Sequence, residues 1–448
     1  MGSGLLDQIL MAVANAGTTL LGLVLLDRHP AGLMVLALGV GYFAMYLNRA
    51  FVGDVLVALS SRYDDQRRDD LVRDGLGTAL TAGIVGSALF VGIWVAWPGR
   101  GDLDLRYLIW IAPFLPAIML HDTARCSYLA ARQPEKALVI DLVWVGVQAL
   151  AVTALILWGT VGVGGLLVAW GLGAVAGAAT YLVRTRARPW RGSPRRWLRA
   201  TRHLAGWFTA TAVIGQVHLQ AVNFIVAVRL SSVEVSGLRF VQTLLMQPVQ
   251  NLISAMQGLL VPVLSRKAHA AEAPDDNGAA AGTALRRQTV QLAAWAAVLG
   301  GMFVLVVWPL AAWGLARTAK FADVAPLALP VTLQAALYLV QLPFAAALRG
   351  MHRPRLLFVQ YAVFSTAGLS GLVLGAVSYK LPGAVWGLAT GTFVGLVAMA
   401  ALFGYASRSR RPAVVIDMPP DETSAGSPAS GIPQQPATGT RPPLASHH

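Results

Sequence analysis

The sequence predicts an all-α, polytopic membrane protein with about twelve spanning helices, arranged as two parallel six-helix lobes around a central cavity. Three observations predict it. Apolar stretches of roughly 20 residues recur along the chain, each long enough to cross ~30 Å of hydrocarbon as a helix. Of the 448 residues, 56% are hydrophobic and only 12% charged, too apolar for a soluble protein of this length. The basic residues concentrate in every second loop.

The spans fall at about 5–26, 31–58, 75–97, 107–130, 137–158, 160–183, 204–228, 236–263, 288–315, 322–348, 356–378 and 382–405. The first has no Lys or Arg before its apolar run, so it reads as a retained span rather than a signal peptide. Loops after spans 2, 4, 8 and 10 carry clusters such as Arg67-Arg68, Arg266-Lys267 and Arg353 to Arg355. The loop after span 6 adds Arg184, Arg186, Arg188, Arg191, Arg195, Arg196, Arg199 and Arg202. The positive-inside rule then places both termini in the cytoplasm of a multi-pass plasma-membrane protein. Residues 1–183 are expected as the N-lobe, 184–203 as a basic linker, 204–405 as the C-lobe and 406–448 as a disordered tail. Basic residues at 184–202 suit anionic lipid, and the net charge of +14 therefore implies no nucleic acid. The Ala/Gly/Asp-rich stretch 268–284 is expected to be mobile.

An internal repeat supports two lobes. Trp170-Gly171-Leu172 recurs as Trp386-Gly387-Leu388, and Arg132-Gln133-Pro134 finds an echo in His352-Arg353-Pro354. Span 12 also carries Gly383, Gly387, Gly391 and Gly395, a ladder suited to close helix packing within a lobe or to a dimer contact.

Charged side chains inside a membrane are costly and face a cavity or a partner. The first half holds Asp7, Arg49, Asp54, His121, Asp122, Arg125 and Asp141. Asp122 and Arg125, three apart, can pair on one helix face. Arg49 and Asp54 point to different sides, so Arg49 takes either Asp7 or an anion. The second half is amide-rich: His218 stands among Gln216, Gln220 and Asn223, and Gln247, Gln250 and Asn251 share a face beside Pro248. A polar stripe beside a proline suggests a watery lumen. Arg239 either snorkels to the interface or faces that lumen. The substrate-binding candidates are Arg49, Arg239, His218, Gln247, Gln250 and Asn251. The gate or coupling candidates are Asp7, Asp54, Asp122, Arg125 and Asp141. The single cysteine, Cys126, excludes an internal disulfide. No Walker, HExxH, CxxC or GxSxG motif occurs, so no enzyme, metal or cofactor is expected.

Several segments resemble polysaccharide-type flippases of the multidrug/oligosaccharidyl-lipid/polysaccharide exporter superfamily, in their actinobacterial form. They are Leu6-Asp7-Gln8 with Ala14-Asn15, Arg49-Ala50-Phe51-Val52-Gly53-Asp54, His121-Asp122-Thr123-Ala124-Arg125, Asp141-Leu142-Val143-Trp144, and Gln242-Thr243-Leu244-Leu245 followed by Pro248. The resemblance implies export of a polyprenyl-diphosphate-linked oligosaccharide, a precursor of cell-wall or surface polysaccharide. A polymerase or glycosyltransferase of the same pathway is a candidate partner. In relatives that carry lipid-linked peptidoglycan precursor, arginines in the first, second and eighth helices line a cationic cavity. Arg49 and Arg239 stand in the second and eighth helices here, but span 1 has no arginine before Arg28, which favours another polymer. An H⁺- or Na⁺-coupled drug antiporter of the same superfamily is the first alternative and requires an acidic cavity. A non-transporting scaffold is the second.

Overall fold

The computed structural model describes residues 16–60, 65–97, 104–270, 276–351 and 353–408. Residues 1–410 form one compact unit. The expected tail beyond 408, and Asp7 near the start, lie outside the described residues.

Every regular element among the described residues is helical. In chain order α1 is Ala16–Leu25, α2 Arg28–Leu59, α3 Gln66–Ala96, α4 Leu115–Ala130, α5 Pro134–Leu157 and α6 Val163–Thr185. Then follow α7 Pro194–Arg229, α8 Ser232–Leu245, α9 Gln247–Ala270, α10 Asp276–Ala316 and α11 Ala328–Gly350. The last helical stretch, Pro354–Arg408, leaves helical geometry at Tyr379 and Lys380, which divides it into α12 (354–378) and α13 (381–408). Eight helical stretches are long and apolar enough to cross a membrane, and this final one folds back to cross twice. With α1, α7 and the α8–α9 pair as the remaining crossings, the elements follow the order of the twelve expected spans.

Local chemistry sets the ends. Ser193 caps α7 by accepting from the Arg196 amide, and Pro194 occupies the first turn, where its missing N–H costs nothing. Ser231 caps α8 by accepting from the Glu234 amide. Between α8 and α9 the helix breaks at Met246, two residues before Pro248, whose ring cannot fit against an unbroken preceding turn.

The repeat is visible in the backbone. In the α4–α5 turn, Ala131 N–H donates to Ser127 and Gln133 N–H to Tyr128. In the α11–α12 turn, Met351 N–H donates to Ala347 and Arg353 N–H to Leu348. The corresponding residues stand 220 apart, and Ala131 and Met351 share φ −78° and ψ 3°. A 3₁₀ segment precedes α4 at Leu105–Trp110 and α11 at Ala322–Leu327.

Within the basic stretch 184–203, α7 begins at Pro194 and packs on the first lobe. There Trp197 is fully buried among Val52, Val55, Leu56 and Leu71, and Arg196 holds Asp74 at 2.8 Å. The stretch 268–284 is helical on both sides of residues 271–275, which lie outside the description.

The glycine ladder packs inside its own lobe. Gly383 meets Gly375, Gly387 meets Gly371, Gly391 meets Gly368, and Gly395 lies against Phe364. This descending register belongs to an antiparallel hairpin whose backbones touch, which only residues without Cβ permit. In the other lobe Gly173 and Gly177 accept Trp144 and His121 in the same way. The substitution Gly387→Ala drives a methyl into the Gly371 carbonyl and should cost about 1–3 kcal/mol, lowering the melting temperature in detergent. Gly92→Ala, whose new methyl meets nothing within 4 Å, should leave the melting temperature unchanged or slightly raised.

Candidate functional site

The site begins at a departure from regular helix. Within α2, Arg49–Gly53 winds as a π-helix, a turn with an extra residue that recurs at functional sites. It is anchored from α4. Asn48 Nδ2 donates to Thr123 Oγ1 at 3.1 Å, and Gly53 leaves room for the Cys126 sulfur. Arg49 itself reaches Asp122, with Nε 3.0 Å from Oδ1, and its guanidinium lies 5.5 Å from the centre of the Tyr46 ring.

A second pair stands one helix further in. Arg125 Nε donates to Asp141 Oδ2 at 2.9 Å, and His121 Nε2 lies 3.2 Å from the other carboxylate oxygen. The His121 ring meets Trp144 edge-on at 4.4 Å. The expected Asp122–Arg125 pair is therefore absent. Residues three apart on α4 diverge enough for Asp122 to face α2 and Arg125 to face α5, and each finds an opposite charge there. Arg49 pairs with Asp122, while Asp7, the partner expected on span 1, lies outside the described residues.

Both pairs border a cavity of about 820 Å³ with walls from both lobes. Arg49, Arg239, His218, Gln247, Gln250 and Asn251 all stand on its wall, as does Arg125. Asp122 and Asp141 are buried behind the wall, 2% and 0% exposed, and Asp54 is exposed away from it. Among the described residues, four arginines, 49, 125, 239 and 349, line this space, and no carboxylate does. Arg239 is half-buried near Tyr42 and Tyr46, and among the described residues no carboxylate pairs with it. It does not snorkel; it faces the lumen.

Sequence reasoning missed three parts of this wall. Arg349 reads as an orientation residue of a loop, yet it ends α11 and hydrogen-bonds Gln257 on the wall. Tyr42 and Tyr46 precede Arg49 at helical spacing, a pattern that places all three on one face of α2. Gln360 sits in an apolar run of α12 with no neighbouring polar residue on its face to flag it.

One end of the cavity is closed by contacts between the lobes. Arg28 pairs with Asp323 at 2.6 Å and lies 5.6 Å from the centre of the Phe321 ring, which stacks on Phe240 of its own lobe, and His29 Nδ1 meets Ser232 Oγ at 2.6 Å. Lys320 Nζ donates to the Leu23 and Leu26 carbonyls and so caps the end of α1 from the opposite lobe. The lumen extends the other way, to Arg349 and Leu357 beside the α11–α12 turn.

No family model and no curated protein sequence matches the chain. Solved structures do match its fold. A multidrug resistance MATE family transporter of the MOP superfamily, in its inward-facing conformation, superposes with a TM-score of 0.66 at 12% identity, over 90% of this chain and 94% of that one. The lipid II flippase MurJ, in an inward closed conformation, gives 0.60 at 12% identity over 90% of each chain. A MOP superfamily transporter from Pyrococcus furiosus, described as having a binding pocket of reversed polarity, gives 0.61 at 11% identity over 91% of this chain and 93% of that one. The chain has the fold of these membrane transporters.

Removing one partner of a buried pair leaves the other charge without compensation. Asp141→Ala should therefore destabilise the protein by about 3–5 kcal/mol, read as a drop in melting temperature. Asp141→Asn, which keeps an acceptor for Arg125, should lose less.

Proposed function

We propose that this protein moves a polyprenyl-diphosphate-linked oligosaccharide from the inner to the outer leaflet by alternating access. One observation carries the reading: among the described residues, four arginines and no carboxylate stand on the wall of an 820 Å³ lumen that is otherwise rich in amides. A diphosphate is matched by guanidinium forks, which stay charged at any physiological pH. Amides offer both donors and acceptors to a sugar's hydroxyls. The prenyl chain needs no site in the lumen, because it can stay in lipid beside the lobes.

The arginines divide into two kinds. Arg49 and Arg125 are held by Asp122 and Asp141, and present to the lumen only what those pairs leave over. Among the described residues Arg239 has no such partner; it is the anchor for the diphosphate, with Arg49 on the same wall. Asp122, Arg125 and Asp141 then position and tune the cationic wall. His218, Gln247, Gln250 and Asn251 belong to the sugar-facing part.

The positive-inside rule assigns the basic α11–α12 end to the cytoplasm and the Arg28–Asp323 end to the outside. The described state is then open inward and latched outward, and both termini are cytoplasmic. The exposed arginines between α6 and α7 suit anionic lipid of the inner leaflet. A fold shared with a lipid II flippase supports this reading, and the cationic lumen weighs against the antiporter alternative, which needs an acidic one.

Native mass spectrometry of the full chain with a polyprenyl-diphosphate disaccharide tests the proposal. Wild type should retain the lipid, and Arg239→Gln should weaken retention at least tenfold without lowering the melting temperature. Asp122→Asn, which frees Arg49, should tighten it. Indifference to Arg239→Gln, with cationic dyes binding instead, would favour the antiporter.

A further inference from the structure

We infer that the basic mouth of the lumen holds a capture site for the diphosphate, built on Arg349 and oriented by Gln257, from which the headgroup passes inward to Arg239. The inference rests on the lipid-linked substrate reading and adds how that substrate enters the lumen.

Two arginines of the second lobe, Arg239 and Arg349, stand on the lumen wall. Among the described residues no carboxylate pairs with either. They lie at different depths. Gly237, two residues before Arg239, packs against Arg28 and Val324 of the closed end. From that end α11 starts at Ala328 and reaches Arg349 about 30 Å further on, at 1.5 Å per residue. Arg239 stands two turns into α8, which leaves about 20 Å between the two guanidiniums along the lumen. A diphosphate is too short to touch both, so it occupies them in turn.

A basic residue at a cytoplasmic helix end ordinarily serves topology alone. Arg349 does more, because its side chain is turned onto the lumen wall. It is exposed, and its Nη1 donates to Gln257 Oε1 on α9. Arg266, at the end of α9 beside it, is exposed as well but does not border the lumen. From Gln257 a line of amides, Gln250, Gln247 and Gln242, follows the wall along α9 and α8 to Arg239.

Charge at the mouth selects the ligand. Residues 235–271 and 324–416 contain no Asp or Glu, so α9, α11, α12 and α13 carry no acid. At the corresponding end of the first lobe stand Asp69, Asp70, Asp74 and Glu135. An anionic headgroup is therefore drawn in along the second lobe. The guanidinium of Arg349 offers it a rigid fork. An exposed ion pair is weak, which suits a site that has to release its ligand inward.

The test measures association and dissociation rates of farnesyl diphosphate by surface plasmon resonance, at fixed salt, on the full chain in zwitterionic nanodiscs. Arg349→Gln should slow association at least fivefold and leave dissociation within twofold of wild type. Arg239→Gln should instead speed dissociation. Gln257→Leu removes no charge but frees Arg349 from its position, and should slow association at least twofold. Arg266→Gln removes the same charge off the wall and should change association less than twofold. Inorganic pyrophosphate should show the same dependence on Arg349; a dependence seen only with farnesyl diphosphate would place recognition on the chain and overturn the site. Association unchanged by Arg349→Gln and Gln257→Leu, or slowed equally by Arg266→Gln, overturns the capture site and leaves Arg239 as the anchor. Failure of wild type to bind either probe sinks the flippase reading and the capture site with it.

Discussion

The pairing of buried charge in the first lobe is the constraint on which the site depends. A charge buried inside a membrane protein is costly, and Asp122 and Asp141 offset that cost behind Arg49 and Arg125. The pairing is also directional. Both carboxylates are turned away from the lumen and both guanidiniums border it, so a nearly neutral set of residues presents a cationic face. The π turn of α2 and the glycine at its end make the close α2–α4 contact that this arrangement needs.

The two lobes share a backbone plan and differ in chemistry. The α4–α5 and α11–α12 turns repeat the same hydrogen bonds, residue for residue. At the shared offset, His121 and Asp141 of the first lobe correspond to Gln341 and Tyr361 of the second. One copy carries ion pairs and the other carries amides. The lumen between them therefore joins the paired arginines of the first lobe to an amide-rich second lobe that carries Arg239 and Arg349.

Much of this is legible in the sequence, for physical reasons that also set its limits. The spans follow from local hydropathy, and the lumen candidates follow from the cost of burying polar groups in lipid: Arg239, His218, Gln247, Gln250 and Asn251 stand out as polar residues inside membrane-length apolar spans. Partnership is not legible. Asp122 lies 73 residues from Arg49, and nothing local distinguishes it from Arg125 as the nearer choice. Arg349 is hidden by its place at a helix end, where basic residues ordinarily mark topology. The hairpin of α12 and α13 is half legible: the glycines announce close packing, but only the register Gly371–Gly387 and Gly375–Gly383 identifies the surface they meet.

That no carboxylate among the described residues pairs with Arg239 has an electrical meaning. In the proposed cycle the empty site carries at least one uncompensated positive charge, whereas a bound diphosphate cancels or reverses it. A cell interior negative by 100 mV acts on each such charge with about 2.3 kcal/mol over the full membrane. It draws the empty, cationic site back toward the cytoplasm and does not oppose the outward passage of the loaded one. The voltage thus rectifies the cycle through the arginine itself, and no separate coupling ion is needed for the return stroke.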